Sequence, residues 1–227
     1  MNATRRGWFV AGTDTGVGKT LVACTLVRAL RRRGTAVGVM KPIETGVGAE
    51  GPCDALALRE AAGVDDPLET ICPQRYALPA APTAAAEAEG REVDLDAVRA
   101  AFAILAARHA ALIVEGAGGL LVPAAKDTSM ADLARELGLP LIVVARASLG
   151  TINHTRLTLE AAEARALPIA GVVISHADGA LSSPDAANLD ALRRHLGERL
   201  LAEIPPLPPG THPDERTLAR LTANLRL

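Results

Sequence analysis

The sequence predicts an α/β fold, a parallel β-sheet covered by helices on both faces. Three observations carry that prediction. Short, nearly continuous apolar runs rich in β-branched residues alternate with Ala/Leu/Arg segments of helical period. The runs lack the polar alternation of a half-exposed sheet, so both sheet faces are buried, as in parallel sheets with helical crossovers. The first run, Trp8–Ala11, passes through a glycine-rich loop directly into a helix-like segment.

In order, the strand Trp8–Ala11 precedes a helix from about Lys19 to Arg33, whose Arg31-Arg32-Arg33 reads as ordinary amphipathic cover. Ala36–Met40 is the second strand, and a helix follows near Asp54–Ala62. The stretch from Pro67 to Gly90 holds Pro67, Pro73, Pro79 and Pro82 and reads as an irregular excursion beside the site. A helix at about Leu95–His109 leads to the strand Ala111–Val114, and a helix near Met130–Leu137 leads to the strand Pro140–Ala145. A helix at about Asn153–Ala166 precedes the strand Ile169–Ser175. A helix near Pro184–Leu200, a strand-like Leu200–Ile204, the proline-rich loop Pro205–Pro209 and a helix near Asp214–Leu225 close the chain. No internal repeat or linker divides it, so residues 1–227 read as one domain.

Composition excludes several functions. The net charge of −2 gives no footprint for nucleic acid or an anionic membrane, and 2% aromatics leave little for base stacking. No apolar run approaches the roughly 20 residues that span a bilayer. The apolar stretch after Arg5 and Arg6 is too short for a signal peptide. Cys24, Cys53 and Cys72 lack Cys-x-x-Cys spacing and read as buried, reduced thiols of a cytoplasmic protein. Among 24 basic residues only Lys19, Lys41 and Lys126 are lysine, and two of these fall at or beside the glycine-rich loop. A compact, rotatable ammonium does there what a planar guanidinium cannot.

The loop itself is Gly12-Thr13-Asp14-Thr15-Gly16-Val17-Gly18-Lys19-Thr20. Strand, glycine-rich loop, Lys-Thr and helix together grip a nucleoside triphosphate: glycines turn backbone N–H groups onto the phosphates and the helix start adds its positive end. Lys19 can reach the terminal phosphates, and the Thr20 hydroxyl is placed to ligate Mg²⁺. The strict pattern has Gly where this chain has Thr13, with Gly12 one residue early. The fold class is thus a P-loop NTPase-type sheet.

In such sheets ligands sit at the carboxyl ends of strands. After the second strand comes Lys41-Pro42-Ile43-Glu44-Thr45-Gly46, where Lys41 can stabilise charge on a transferring phosphoryl group. After Ala111–Val114 comes Glu115-Gly116-Ala117-Gly118-Gly119, an acidic residue where nucleotide hydrolases keep a Mg²⁺-linked carboxylate, followed by glycines that admit close approach. Asp54 opens a helix, where a carboxylate caps as readily as it binds metal. Gly150 and Thr151 suit a loop-to-helix junction, and His154 reads as a structural hydrogen-bonding residue. His109, His176, His195 and His212 have no metal-ligand spacing, and no Ser-His-Asp or Cys-His system is present.

Taken together, the loop at 12–20, Lys41-Pro42 with Thr45-Gly46, Asp54–Leu58, Val114–Gly119, Leu149–His154 and Glu203-Ile204-Pro205 closely resemble the dethiobiotin synthetase family. The motifs run in family order over most of the chain. The resemblance implies an ATP-dependent carboligase of biotin synthesis: diaminopelargonic acid and CO₂ give a carbamate, ATP phosphorylates it, and the neighbouring amine closes a cyclic urea with loss of phosphate. It implies nucleotide contacts from Gly16, Val17, Gly18, Lys19, Thr20 and Leu21, and from Asp54, Glu115, Gly116, Ala117 and Gly118. Mg²⁺ would be held by Thr20, Asp54 and Glu115. Lys41, Lys19 and Thr13 would be catalytic, with Thr13, Lys41 and Thr45 at the carbamate end and Pro82, Gly119 and Leu120 along the substrate path. Family members are homodimers, with Leu149, Gly150 and Asn153 reaching the partner's site to hold the substrate's carboxylate.

Two departures stand out against that family pattern. Gly16 replaces a frequent Glu, and Ser175-His176 stands where a base-recognising Asn is usual. Adenine contacts then fall to Ser175, His176 and the backbone near Pro205, Pro206 and Leu207, and weaker discrimination for adenine is expected. The rival reading, a partition- or septum-type ATPase switch, needs a signature lysine five residues before Lys19, where this chain has Asp14. A cobyrinate-amidase-type synthetase would need an added amidotransferase domain, for which the chain is too short.

Overall fold

The apolar runs pair into a six-stranded, all-parallel sheet in the computed structural model, which describes residues 7–176, 182–208, 211–223 and 225. Arg5, Arg6 and Pro209 lie outside the described residues. The chain runs β1 (Gly7–Gly12), α1 (Lys19–Arg32), β2 (Val37–Met40), β3 (Ile43–Thr45), α2 (Cys53–Ala62), α3 (Leu68–Ile71), β4 (Gln74–Tyr76) and α4 (Pro82–Ala88). It continues through α5 (Leu95–Arg108), β5 (Ala111–Gly119), β6 (Pro123–Ala125), β7 (Thr128–Ser129), α6 (Met130–Leu137), β8 (Leu141–Arg146), α7 (Thr151–Glu163) and β9 (Ile169–Ser175). It ends with α8 (Ser183–Leu196), β10 (Leu200–Ile204) and α9 (Glu215–Ala223). The strand order is β10-β9-β8-β1-β5-β2.

Successive strand side chains point to opposite faces, and the two cores divide accordingly. Phe9, Leu112, Val114, Leu141 and Val143 pack under α5, α6, α7 and α8 through Phe102, Leu133, Leu159 and Leu189. Trp8, Val10, Ile113, Ile142 and Val144 pack under α1, α2 and α9 through Val22, Leu26, Leu58 and Leu221. Every strand residue from Gly7 to Gly12 is buried, which is why no polar alternation marks the sequence.

Several boundaries differ from the sequence reading. The Pro67–Gly90 excursion is ordered: it carries α3, β4 and α4, and β4 pairs in parallel with β3. Its prolines sit where they do no harm, Pro67 at the N-cap of α3 and Pro82 at the first residue of α4. Strand β5 does not stop at Val114 but runs through Glu115 to Gly119, because β1 shifts register so that Gly12 meets Gly119. Helix α7 starts at Thr151, after left-handed Gly150, and helix α8 stops at Leu196, before Gly197 at φ 51. Cys24 and Cys72 are buried, with thiols pushed up to about 12 by burial, but Cys53 is exposed at the start of α2, correcting the reading of all three as interior residues. Among the described residues no helix is long and apolar enough to cross a membrane.

Candidate active site

The loop between β1 and α1 owes its shape to three glycines. Gly16 and Gly18 hold φ of 73 and 90, left-handed values that side chains resist. A Cβ on Gly12 would lie 2.6 Å from the Asp14 carbonyl and 3.0 Å from Lys19 Nζ, so the early glycine is sterically required. Thr13 is tolerated in its place, its N–H donating to the Val144 carbonyl at 2.9 Å. Lys19 Nζ donates to the Asp14 carbonyl at 3.0 Å, and the Arg146 guanidinium donates to the Thr15 carbonyl at 2.9 Å. Arg146, at the end of β8, was invisible as a site residue because it lies 131 positions from its partner. Gly18 caps α1 without any side-chain hydrogen bond, so the first N–H groups of that helix have no side-chain acceptor.

A cleft of about 320 Å³ opens at this point, lined by Thr15, Gly16, Gly18, Lys19, Thr20, Lys41, Ile43, Glu44, Thr45, Asp54, Glu115, Ala117 and Gly118. On its floor Lys41, directly after β2, donates to Glu115 Oε1 at 2.6 Å and to Asp54 Oδ2 at 2.7 Å. The Thr20 hydroxyl is 2.9 Å from both Asp54 Oδ1 and Glu115 Oε1. Asp54 opens α2 but caps nothing with its side chain; both oxygens are turned into the cleft. Position alone left that carboxylate undecided between capping and ligation, and its orientation removes capping. Gly116 is explained by packing, since a Cβ there would meet the Phe9 ring at 2.7 Å.

The charges on this floor shift one another strongly. Burial, aided by the Lys41 ammonium, pushes Lys19 down to about 8. Burial also opposes the charge on Lys41, but Glu115 and Asp54 outweigh it and raise the ammonium's pKa. Burial pushes Glu115 up while Lys41 pulls it back, and at Asp54 the pull of Lys41 overcomes burial and keeps the carboxyl below its usual range. Two ammonium groups thus face three carboxylates, Glu44 being the third. A polyphosphate cannot enter such a cleft favourably without a further cation. Glu115 Oε2 is fully buried with no hydrogen-bond partner, an acceptor that calls for one. Among the described residues no three His, Cys, Asp or Glu side chains form a metal cluster, so two carboxylate oxygens and the Thr20 hydroxyl supply a partial set of hard ligands. That suits Mg²⁺, which is bound by one or two carboxylates together with phosphate oxygens and water.

Other residues named from sequence fall around this cleft at varying remove. Val17 is buried beneath the loop, and Leu21 packs against the core behind it. Thr13, Gly119 and Leu120 line an adjoining groove with Asp14, Leu121, Val122, Pro123, His154 and Leu157. Leu149, Gly150 and Asn153 line a separate depression with Ile152, Arg156, Leu157, Glu160 and Asn188. Leu157 belongs to both, and Leu121, Leu149 and Leu157 are 49%, 74% and 56% exposed, an apolar face beside the cleft. His154 is exposed at its edge. Pro82 is buried at the start of α4 and lines none of these hollows.

The remaining candidates lie at the far strands. Ser175 is buried with its hydroxyl unpartnered, whereas the His176 ring is engaged 2.5 Å from Glu203 Oε1, a carboxylate that also accepts twice from Arg193. Pro205 and Pro206 are exposed after β10, and Leu207 is half-buried.

A family model described as an AAA domain matches residues 6–214. The chain is 62% identical over 170 residues to an "ATP-dependent dethiobiotin synthetase BioD" of Anaeromyxobacter dehalogenans, covering 75% of this chain and 76% of the relative. It is 44% identical to the protein so named in Aromatoleum aromaticum, covering 98% and 97%, and 40% identical to that of Bacillus licheniformis, covering 89% and 86%. Among solved structures it is similar in fold to a ParA family ATPase of Chlorobium tepidum (TM-score 0.53, 17% identity, 97% of this chain and 90% of the other). A MinC:MinD complex of Aquifex aeolicus is similar too (TM-score 0.55, 11% identity, 96% and 86%).

Proposed function

The chain belongs to the dethiobiotin synthetase family, ATP-dependent ligases of biotin synthesis, and from that premise we propose how its residues divide the reaction. The observation that carries the proposal is the placement of Lys41, Lys19 and the uncapped start of α1 around one cleft whose floor is the Asp54–Glu115 pair.

Diaminopelargonic acid and CO₂ form a carbamate on one amine, releasing a proton. A carbamate oxygen attacks the γ-phosphorus of ATP, the bond to the β,γ-bridging oxygen breaks, and ADP departs with that electron pair. The second amine then attacks the carbamoyl carbon of the mixed anhydride, inorganic phosphate leaves, and the amine's proton passes to solvent as the cyclic urea closes. Two anions must meet in the first transfer, so fixed cations dominate the barrier. Lys19 and the loop N–H groups hold the terminal phosphates, with Gly16, Val17, Gly18, Thr20 and Leu21 building that cradle. Lys41, already rigidly held, stabilises charge on the moving phosphoryl group, and Thr13 and Thr45 orient the carbamate. Thr20, Asp54 and Glu115 hold Mg²⁺, which when bound supplies Lewis-acid neutralisation of phosphate oxygens. Gly116, Ala117 and Gly118 allow close approach of nucleotide, and Gly119 and Leu120 border the diamine's path.

The whole chain acts as one domain in the cytoplasm, a reducing compartment in keeping with three free cysteines. It pairs as a homodimer through the apolar face of Leu121, Leu149 and Leu157, and Leu149, Gly150 and Asn153 serve the carboxylate of the diamine. The adenine lies near Ser175, His176, Pro205, Pro206 and Leu207.

The test is phosphate release from ATP. It is expected to require both the diamine and bicarbonate, and release stimulated by DNA or lipid vesicles without the diamine would overturn the reading. Light scattering should return twice the chain mass, and a Leu149→Asp, Leu157→Asp variant should scatter as one chain.

A further inference from the structure

We propose that Glu44 is a positioning residue: from β3 it seals the N-terminus of α2 and thereby sets Asp54 free to face the metal and Lys41. The inference rests on the reading of Asp54 as a metal ligand given above.

Two helices, α1 and α2, begin at the same cleft, and their first turns are treated oppositely. Helix α1 begins at Gly18 with no side-chain cap. Helix α2 begins after Pro52, whose side chain offers no acceptor, although its φ of −76 and ψ of 94 have the extended geometry of a capping residue. The N–H groups that a local cap would serve are those of the second and third helical residues. Here they are Asp54 and Ala55, and Glu44 takes both: Asp54 N–H donates to Oε1 at 2.9 Å and Ala55 N–H to Oε2 at 3.0 Å. Glu44 is only 6% exposed and does this from ten residues upstream.

A third carboxylate in a cleft meant for a triphosphate is electrostatically unfavourable for the substrate. Charge-assisted bonds to two N–H groups at the positive end of a helix offset that cost. The consequence falls on Asp54. An aspartate in a first helical turn can accept from an unsatisfied N–H, as Asp132 of α6 does from Ser129. With those groups occupied, Asp54 gives Oδ1 to Thr20 and Oδ2 to Lys41 instead. Glu44 also closes the second helix start to phosphate or bicarbonate, leaving α1 as the single open anion site of the pair. In the sequence, the pointer was a helix preceded by proline with no local cap.

The experiment measures Mn²⁺ binding by electron paramagnetic resonance in the presence of ADP, and ADP binding in EDTA, for wild type, Glu44→Gln, Asp54→Asn and Glu44→Gln combined with Pro52→Ser. Glutamine keeps one acceptor and turns an NH₂ onto the other N–H, so Glu44→Gln should weaken Mn²⁺ about 10- to 100-fold, the usual cost of losing an outer-shell partner. Metal-free ADP binding should hold or tighten, and turnover should recover at saturating Mg²⁺. Pro52→Ser supplies a local cap and should restore Mn²⁺ affinity in the Glu44→Gln background. Wild-type Mn²⁺ affinity in Glu44→Gln, a parallel loss of metal-free ADP binding, or a double variant that regains thermal stability but not Mn²⁺ affinity would each overturn the inference. If Glu44→Gln alone does not fold, the double variant decides: Mn²⁺ affinity near wild type supports the inference, and its loss overturns it. If Asp54→Asn leaves Mn²⁺ untouched, it is the ligand reading that fails; if Asp54→Asn weakens Mn²⁺ and Glu44→Gln does not, only the role of Glu44 fails.

Discussion

Two ionic clusters lie at opposite ends of β2 and β5, and they are built on opposite plans. At the amino ends, Asp66 accepts from Arg108 on Oδ1 at 2.7 Å and meets His109 Nε2 at 2.6 Å through Oδ2. The His109 ring lies so close over Gly38 that a Cβ there would come within 2.3 Å of it. At the carboxyl ends one ammonium serves two carboxylates, Thr20 shares the same pair, and Glu115 Oε2 has no partner. The first cluster has one carboxylate with both oxygens engaged, and its Arg108 reaches out to the surface. The second has an excess of acceptors and opens on a cleft. A saturated cluster serves to hold the fold together, whereas an unsaturated one is arranged to receive something.

Substitutions on the two sides should therefore separate activity from stability. Lys41→Ala should lower diamine-dependent turnover by about 10²-fold or more while weakening ATP binding much less, the split expected of a charge that acts on the transition state. Unchanged turnover in steady-state phosphate release would remove Lys41 from the reaction. Asp66→Asn should leave turnover near wild type and cost about 2 kcal/mol of stability in denaturant unfolding, a buried-pair loss discounted for the half-exposed Arg108. A turnover defect as large as that of Lys41→Ala would erase the contrast.

Smaller effects sharpen the comparison. The nucleotide preference for ATP over GTP and CTP should be weak, and Ser175→Asn should increase it by about one hydrogen bond's worth, roughly 1 kcal/mol. Strong discrimination by the unaltered chain would show that the base is recognised elsewhere. Ser129→Ala, which breaks the capping box of α6 and touches neither cluster, should cost about 1 kcal/mol in thermal unfolding and change turnover much less than Lys41→Ala. It calibrates what a purely local structural bond is worth in this chain.

Much of the site was legible beforehand because each part announces itself locally. Gly16, Gly18, Lys19 and Thr20 lie within one five-residue stretch, and Lys41 and Glu115 each close an apolar run. Asp54 was legible only as an ambiguity, because a carboxylate early in a helix suits capping and ligation equally. Glu44 and Arg146 were missed because their roles are bonds to backbone atoms on other elements. The reach of β5 past Glu115 was missed for a related reason: glycines end strands in sequence, but here Gly116 stays in the strand and relieves crowding against Phe9.

What the sequence determined by itself is the order of the six main-sheet strands and the helices that cover them, the sheet's burial on both faces and the phosphate-loop chemistry, since all three depend on periodicity and on neighbours a few residues apart. Tertiary structure alone decided which way Asp54 points, that Cys53 is exposed and that the proline-rich segment is ordered. It also decided that Glu115 is left with an unpaired oxygen. Those outcomes depend on which distant groups satisfy which donors and acceptors, and that is fixed only when the strands assemble.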